Sequence, residues 1–269
     1  MMRTMTPQQI LDHLDRGTPW PPDGQTAQGD DVAAAYGVAL AVRALRVARG
    51  EQPVGFKIGF TNRTIWQRYR VFAPIWGTVW NTTAHFSEGR GALPLRTLCQ
   101  PRIEPEVVFG IRATPAEEPS LEQVFDCVDW LAPGFELVQS HCAHWVFTAA
   151  QTVADGGLHG RLLIGAKTPV RQLAGSGVAL DTLLAGRSVR LTRDGTLVEQ
   201  GHGRHVLDGP LHALRHFVLE LQRCPGAPAL APGDVVTTGT WTDAWPVGPG
   251  EVWRAQFDAP WGALEVALR

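Results

Sequence analysis

Between Ile103 and Ile111 the chain reads Ile-Glu-Pro-Glu-Val-Val-Phe-Gly-Ile, two acids set into an apolar run. In an extended strand, side chains two apart share a face, so Glu104 and Glu106 point together and Pro105 points away. Two carboxylates side by side repel each other unless a cation sits between them or one takes a proton. Two settings fit this segment. Either the strand is buried and its acids hold a metal, or it is an edge strand, where proline is tolerated. A further lone acid, Glu136 in Gly134-Phe135-Glu136-Leu137-Val138, favours the metal. Three carboxylates plus waters make a hard-oxygen site suited to Mg²⁺ or Mn²⁺. Histidine is absent from both strands, which argues against zinc.

The rest of the chain predicts an α+β fold. Thr6, Pro7 and Gln9 form the start signal of a helix whose apolar face is Ile10, Leu11 and Leu14, and Gly17 ends it. Asp30 or Asp31 caps a second helix running to about Arg49, with Gly50 as its stop. These first 50 residues are the one strongly helical stretch. After them, Val54 to Phe60 reads as a strand carrying Lys57, and Thr61 to Tyr69 as helical. Ser120 and Gln123 form a capping box for a helix through Val128, and Gly134 to Ser140 is extended. Arg187–Arg193 and Thr196–Gln200 flank Asp194-Gly195, a strong hairpin signal. Asp208 is placed to cap a helix with Leu211, Leu214, Val218 and Leu221 at helical spacing. Leu264, Val266 and Leu268 alternate as in a strand, and Gly201-His202-Gly203 reads as a strand end. Strands and helices do not alternate regularly, which disfavours a doubly wound sheet. No G-x-G-x-x-G or Walker sequence occurs. The expected organisation is a helical part at 1–50 followed by a β-rich catalytic body at 51–269.

Net charge is −2, so nothing suggests a nucleic-acid partner. Arg43, Arg46 and Arg49 share one side of the second helix and read as a solvated face. The longest apolar run, Val32 to Val42, stops at Arg43, far short of the ~20 residues of a membrane span. No apolar stretch follows Arg3, so no signal peptide is visible, and a cytoplasmic protein is expected. Cys99, Cys127, Cys142 and Cys224 are irregularly spaced and predict neither disulfides nor zinc. Trp66, Trp76, Trp80, Trp145, Trp241 and Trp245 fall near candidate site segments and serve either as core or as the apolar wall of a ligand site.

Taken in order, five segments resemble the 2-keto-4-pentenoate hydratase and 4-oxalocrotonate decarboxylase family, within the fumarylacetoacetate hydrolase superfamily. They are Gly55-Phe56-Lys57-Ile58-Gly59-Phe60-Thr61, Pro101-Arg102-Ile103-Glu104-Pro105-Glu106, Glu136-Leu137-Val138, Thr152-Val153-Ala154-Asp155, and Gly233-Asp234-Val235-Val236 with Thr238-Gly239. The resemblance implies a mixed β-roll body of the superfamily's C-terminal-domain type, and Mg²⁺ or Mn²⁺ held by Glu104, Glu106 and Glu136. It also implies a 2-oxo acid substrate and Lys57 as the active-site lysine. On that basis Asp155, which the pattern retains, is a candidate catalytic residue, and Thr238, Gly239 and Trp76 are candidate substrate contacts; His141 and His144 read either as structural residues or, as imidazoles, as a catalytic general base. A homo-oligomer, and association with a pathway decarboxylase or hydratase, are implied too.

The chain departs from the hydratase pattern in three places. Where hydratases carry Ala-Asp-Asn-Ala-Ser, it has Ala154-Asp155-Gly156-Gly157-Leu158; where they carry Pro-Asp-Phe-Gly, it has Pro74-Ile75-Trp76-Gly77. His141 and His144 stand where hydratases tend to have Arg and Asp. The expected activity is a metal-dependent hydratase acting on a small 2-hydroxydienoate in aromatic-compound catabolism. The alternatives are an acylpyruvate-type C–C hydrolase, a 2-oxo-diacid decarboxylase and, more distantly, a non-catalytic partner subunit.

Overall fold

The computed structural model describes residues 3–22, 24–25 and 31–269. Its body is two curled sheets. The larger runs, in spatial order, Ile75–Trp80, Pro53–Gly59, Val235–Thr237, Arg102–Ile111, Val128–Val138, His159–Ile164, Ala84–Phe86. The smaller is Thr196–His202, Ser188–Arg193, Val252–Phe257, Ala263–Leu268, Arg90–Leu93. Each contains parallel and antiparallel neighbours, as a mixed β-roll requires. Phe135 and Leu137 from the first sheet, Leu264 and Val266 from the second, and Leu214 and Phe217 of the helix Pro210–Arg223 belong to one buried cluster.

The acid-bearing strand Arg102–Ile111 is central. Val128–Val138 pairs along its whole length, and Val235–Thr237 and Trp245–Pro246 share its other edge. Pro105 is accommodated because that edge is interrupted. The carbonyl of Pro105 accepts from Trp241 N–H in the loop joining the two short partners. A residue's N and O point to the same edge of a strand, so the missing N–H costs the main ladder nothing. The edge-strand alternative is thereby excluded.

The N-terminal helices form largely as expected. Thr6 and Gln9 make the capping box of Pro7–Arg16, and Gly17 closes it in the left-handed region at φ 62°. Asp31 caps Val32–Ala48 through Ala33 and Ala34 N–H; Asp30 lies outside the described residues. Ala35 of this helix packs in one cluster with Ala150 and Val153 of the short helix Ala149–Ala154. The Asp194-Gly195 hairpin forms with both residues at positive φ, 50° and 80°, the combination that a type I′ turn needs.

Four local expectations are corrected. The 14-residue helix Pro210–Arg223 shows that the first 50 residues are not the one strongly helical stretch. Gly209, not Asp208, occupies its cap position, and Asp208 pairs with Arg63 instead. The capping-box helix is only Leu121–Asp126, because Val128 already starts a strand. Arg46 is not on a solvated face: it bonds Glu51 and lies 4.2 Å over the Trp80 ring. Thr61–Tyr69 is a 3₁₀ turn, Arg63–Ile65, and one α turn, Trp66–Tyr69. The four cysteines are free. No described helix is long and apolar enough to cross a membrane.

Candidate metal centre

Strand register brings the three acids together. Glu104 is directly opposite Glu136, and Glu106 follows Glu104 on the same face. One oxygen from each lies within 4.8 Å of the others. Two strands away, Lys57 is in register with Thr237, and its Nζ stands 3.0 Å from Glu136 Oε2. Glu106 Oε2 accepts from the Thr237 hydroxyl and, at 2.8 Å, from Gly239 N–H. Glu136 Oε1 faces His159 Nδ1 at 2.7 Å. Lys57, Glu106, Glu136 and His159 are buried, while Glu104 is partly open to the cavity above.

The electrostatics follow from this crowding. Burial alone would lower the Lys57 ammonium, but Glu136, Glu104 and Glu106 outweigh it and hold it above the ordinary lysine value. Burial pushes the Glu104 carboxyl up, Lys57 opposes and Glu136 reinforces, and the balance stands at about 7. Burial, then Glu136 and Glu104, carry Glu106 well above the carboxylate range. Burial acts on Glu136 in the same sense, but Lys57 and His159 win and keep it below its ordinary value.

These residues fit a divalent cation. Three carboxylates against one ammonium leave an excess of two negative charges, which one such ion cancels. The donor set is hard oxygen. Glu106 Oε1 is buried with no hydrogen-bond partner, the position of a ligand atom that a cation would satisfy.

Above the acids opens a cavity of about 700 Å³. Lys57 and Glu104 stand at its floor, and Tyr69, Trp145, Phe147, Trp241 and Trp245 supply aromatic walls. Arg102, two residues before Glu104, also lines it, with its guanidinium 4.3 Å over the Trp145 ring.

The other expected site residues are placed variously. Gly239 lines the cavity and also bonds Glu106. Thr238 turns its hydroxyl to Val107 O at 2.8 Å, and its neighbour Thr237 makes the contact to the acids. Trp76 stacks on Tyr36 behind the sheet, at 4.6 Å between ring centroids, and does not line the cavity. The loop after Glu136 does reach over the site, but through Trp145 and Phe147 and not through its histidines. His144 is exposed, at φ 56°. His141 is fully buried, its Nδ1 2.6 Å from Asp155 Oδ1, while its own N–H donates to Asp155 Oδ2 at 2.9 Å.

Sequence reasoning missed Thr237 and His159. Thr237 was one step from a named residue, but its place beside the acids depends on the pairing of two strands distant in sequence, which the sequence does not give. His159 had no signal beyond its place directly after the segment that departs from the hydratase pattern.

Comparisons with known proteins bear on the family and the fold. The family model for the fumarylacetoacetate (FAA) hydrolase C-terminal region matches residues 67–268. The chain is 30% identical over 262 residues to a 2-keto-4-pentenoate hydratase of Paraburkholderia xenovorans, covering 94% of this chain and 93% of the relative. It is 29% identical over 262 residues to a 4-oxalocrotonate decarboxylase of Pseudomonas sp. strain CF600, covering 93% and 94%. In fold it resembles the 4-oxalocrotonate decarboxylase of Pseudomonas putida G7 complexed with magnesium and adipate, with a TM-score of 0.83 at 22% identity over 99% of this chain and 100% of that one. With its β-roll, its three strand-borne acids and a family match over most of its length, the chain belongs to the fumarylacetoacetate hydrolase family.

Proposed function

We propose that this protein is a Mg²⁺- or Mn²⁺-dependent hydratase acting on a small 2-hydroxydienoate, through its 2-oxo tautomer. The observation that carries the reading is the group of three carboxylates within 4.8 Å at the foot of an aromatic-walled cavity, with buried Lys57 beside them. Glu104, Glu106 and Glu136 would hold the cation, which when bound supplies Lewis acidity toward the keto and carboxylate oxygens of a 2-oxo acid. Thr237 and Gly239 orient Glu106 for that task.

Lys57 holds a fixed positive charge where negative charge develops as the dienol becomes the keto acid. Because Glu136 already orients the ammonium, little reorganisation is needed at the moment of reaction. The aromatic walls exclude bulk water and strengthen these interactions. Asp155 and His141, bonded to each other beneath the cavity, act on this reading by holding the loop that carries Trp145 and Phe147. The hydratase choice rests on the hydratase relatives, among them the 2-keto-4-pentenoate hydratase of Paraburkholderia xenovorans at 30% identity.

A second reading has its own observation. The Arg102 guanidinium lines the cavity and pairs with no carboxylate among the described residues, and its one hydrogen bond is to Ala244 O at 3.4 Å. A free guanidinium facing a ligand cavity suits a second carboxylate, so an oxo-diacid decarboxylase is the alternative.

One experiment separates these. The protein is incubated with Mg²⁺ and a panel of 2-hydroxydienoates, acylpyruvates and oxo-diacids in ¹⁸O water, and products are identified by mass. A single intact product that has gained labelled water is expected. Pyruvate with a labelled carboxylic acid would make it a C–C hydrolase, and loss of carbon dioxide from a diacid a decarboxylase.

A further inference from the structure

His159 begins the strand His159–Ile164, directly after the segment in which this chain lacks the Asn and Ser of the hydratase pattern. In their place Gly156, Gly157 and Leu158 take three consecutive left-handed conformations, at φ 65°, 69° and 66°. Two glycines make such a run affordable. At Gly157 the turn also needs the missing side chain: a Cβ there would stand 3.1 Å from Lys57 Cδ and 3.0 Å from Gly77 N. The exchange removes two polar side chains and delivers an imidazole to the back of the acid cluster.

The ring is clamped on both nitrogens. Nδ1 is 2.7 Å from Glu136 Oε1, and Nε2 is 2.8 Å from the Thr83 hydroxyl. Thr83 is itself held by the ladder: its carbonyl accepts from Leu162 N–H at 2.9 Å, and its hydroxyl oxygen accepts from Trp80 N–H at 3.1 Å. The Thr83 hydroxyl also lies 3.2 Å from Trp80 O, but that carbonyl already accepts from Thr83 N–H at 2.9 Å, so the single hydroxyl proton is available to Nε2. In a neutral ring with its proton on Nδ1, Nδ1–H donates to Glu136 and Nε2 accepts from Thr83. Glu136 Oε1 is thereby taken and Oε2 faces Lys57, with one oxygen of Glu136 within 4.8 Å of one oxygen each from Glu104 and Glu106.

We infer that His159 is a positioning residue that locks the Glu136 carboxylate in the rotamer that presents Oε2 to a cation shared with Glu104 and Glu106. The inference rests on the reading that the three acids bind a divalent cation. A hydrogen bond to the outer oxygen of a ligating carboxylate fixes its orientation before the ion arrives, so losing it weakens binding even though every ligand remains. Thr83 acts one step further out, by fixing the ring's tautomer.

The test is Mn²⁺ binding without substrate, followed by the loss of the free-ion electron paramagnetic resonance signal. In His159→Asn, the amide nitrogen falls near the Nδ1 position and can still donate to Glu136. His159→Leu fills much of the ring's space and donates nothing. Loss of such an outer partner costs roughly 10- to 100-fold in metal affinity, so His159→Leu should weaken Mn²⁺ binding by that much. His159→Asn should retain most of the affinity, and Thr83→Val should weaken it less than His159→Leu. Normal binding by a folded His159→Leu, or equal losses in the Leu and Asn variants, would overturn the inference. Absence of Mn²⁺ binding by the unaltered protein would overturn the metal reading itself. If His159→Leu does not fold, the ring ¹⁵N spectrum of the unaltered protein decides. A proton on Nδ1 with Nε2 as acceptor is expected, and a proton on Nε2 with Nδ1 bare would contradict it.

Discussion

Two buried histidine–carboxylate pairs lie within a few residues of each other in this chain and do different things. His159 and Glu136 meet at 2.7 Å, and His141 and Asp155 at 2.6 Å, both through Nδ1. In the first pair the carboxylate's second oxygen faces Lys57. In the second, that oxygen is consumed by the histidine's own N–H, and the ring is stacked beside Trp20 at 6.0 Å. The first pair keeps a carboxylate oxygen facing Lys57, whereas in the second both carboxylate oxygens are taken by His141, whose Nε2 is buried with no hydrogen-bond partner. A His–Asp contact alone therefore does not mark a catalytic dyad; what the remaining oxygen faces decides.

The largest expected difference between the two regions is in turnover. Lys57→Met keeps the apolar stem and removes the charge beside Glu136. Turnover should fall ~10²-fold or more, the scale seen when one electrostatic stabiliser of a transition state is lost. Unchanged steady-state kinetics would remove Lys57 from the chemistry.

Asp155→Asn should instead act mainly on stability. It weakens two buried hydrogen bonds at once, and leaving a buried donor unsatisfied costs about 1–3 kcal/mol. Urea unfolding should show that loss, with turnover per folded molecule falling far less than in Lys57→Met. A ~10²-fold fall in turnover at unchanged stability would move the pair into the reaction.

The smallest expected effect is on pH dependence. Glu104 in the folded protein stands at about 7, above its ordinary value. Without metal, the folded state keeps a proton that the unfolded chain releases. The associated stability is full below the ordinary carboxylate value and is lost as pH rises through about 7. Mn²⁺ must displace that proton, so its affinity should rise over the same window, with proton release on binding measurable by calorimetry in two buffers. A flat affinity between acid and neutral pH would contradict the crowding seen at the acid cluster.

The strand-borne half of the site was legible in the sequence, and the loop-borne half was not. Alternation in Ile103–Ile111 put Glu104 and Glu106 on one face, and the lone acid in an apolar strand singled out Glu136. Both are local properties with a period of two. Which strand would lie beside them is not local, so Lys57 came from the family resemblance and Thr237 did not come at all. The histidines after Glu136 were read as reaching over the site. The chain instead takes a left-handed turn at His144 and Trp145, φ 56° and 58°, and two aromatics reach the cavity in their stead. The sequence leaves Trp76 open between core and ligand wall. Strand alternation sends it to the opposite face from Lys57's partner Gly77, against Tyr36. The Asp208 cap failed by one residue, because Gly209 takes an extended backbone that leads directly into Pro210.

The metal centre is the claim on which the rest depends, and Glu106 is its least ambiguous member, being fully buried with one oxygen unpartnered. Glu106→Gln preserves shape and removes one anionic ligand. Mn²⁺ affinity and Mg²⁺-dependent turnover should be measured on the same preparation, with unfolding monitored in parallel. The account predicts that both fall together while the protein stays folded. Normal turnover by Glu106→Gln in the presence of a strong chelator would contradict it.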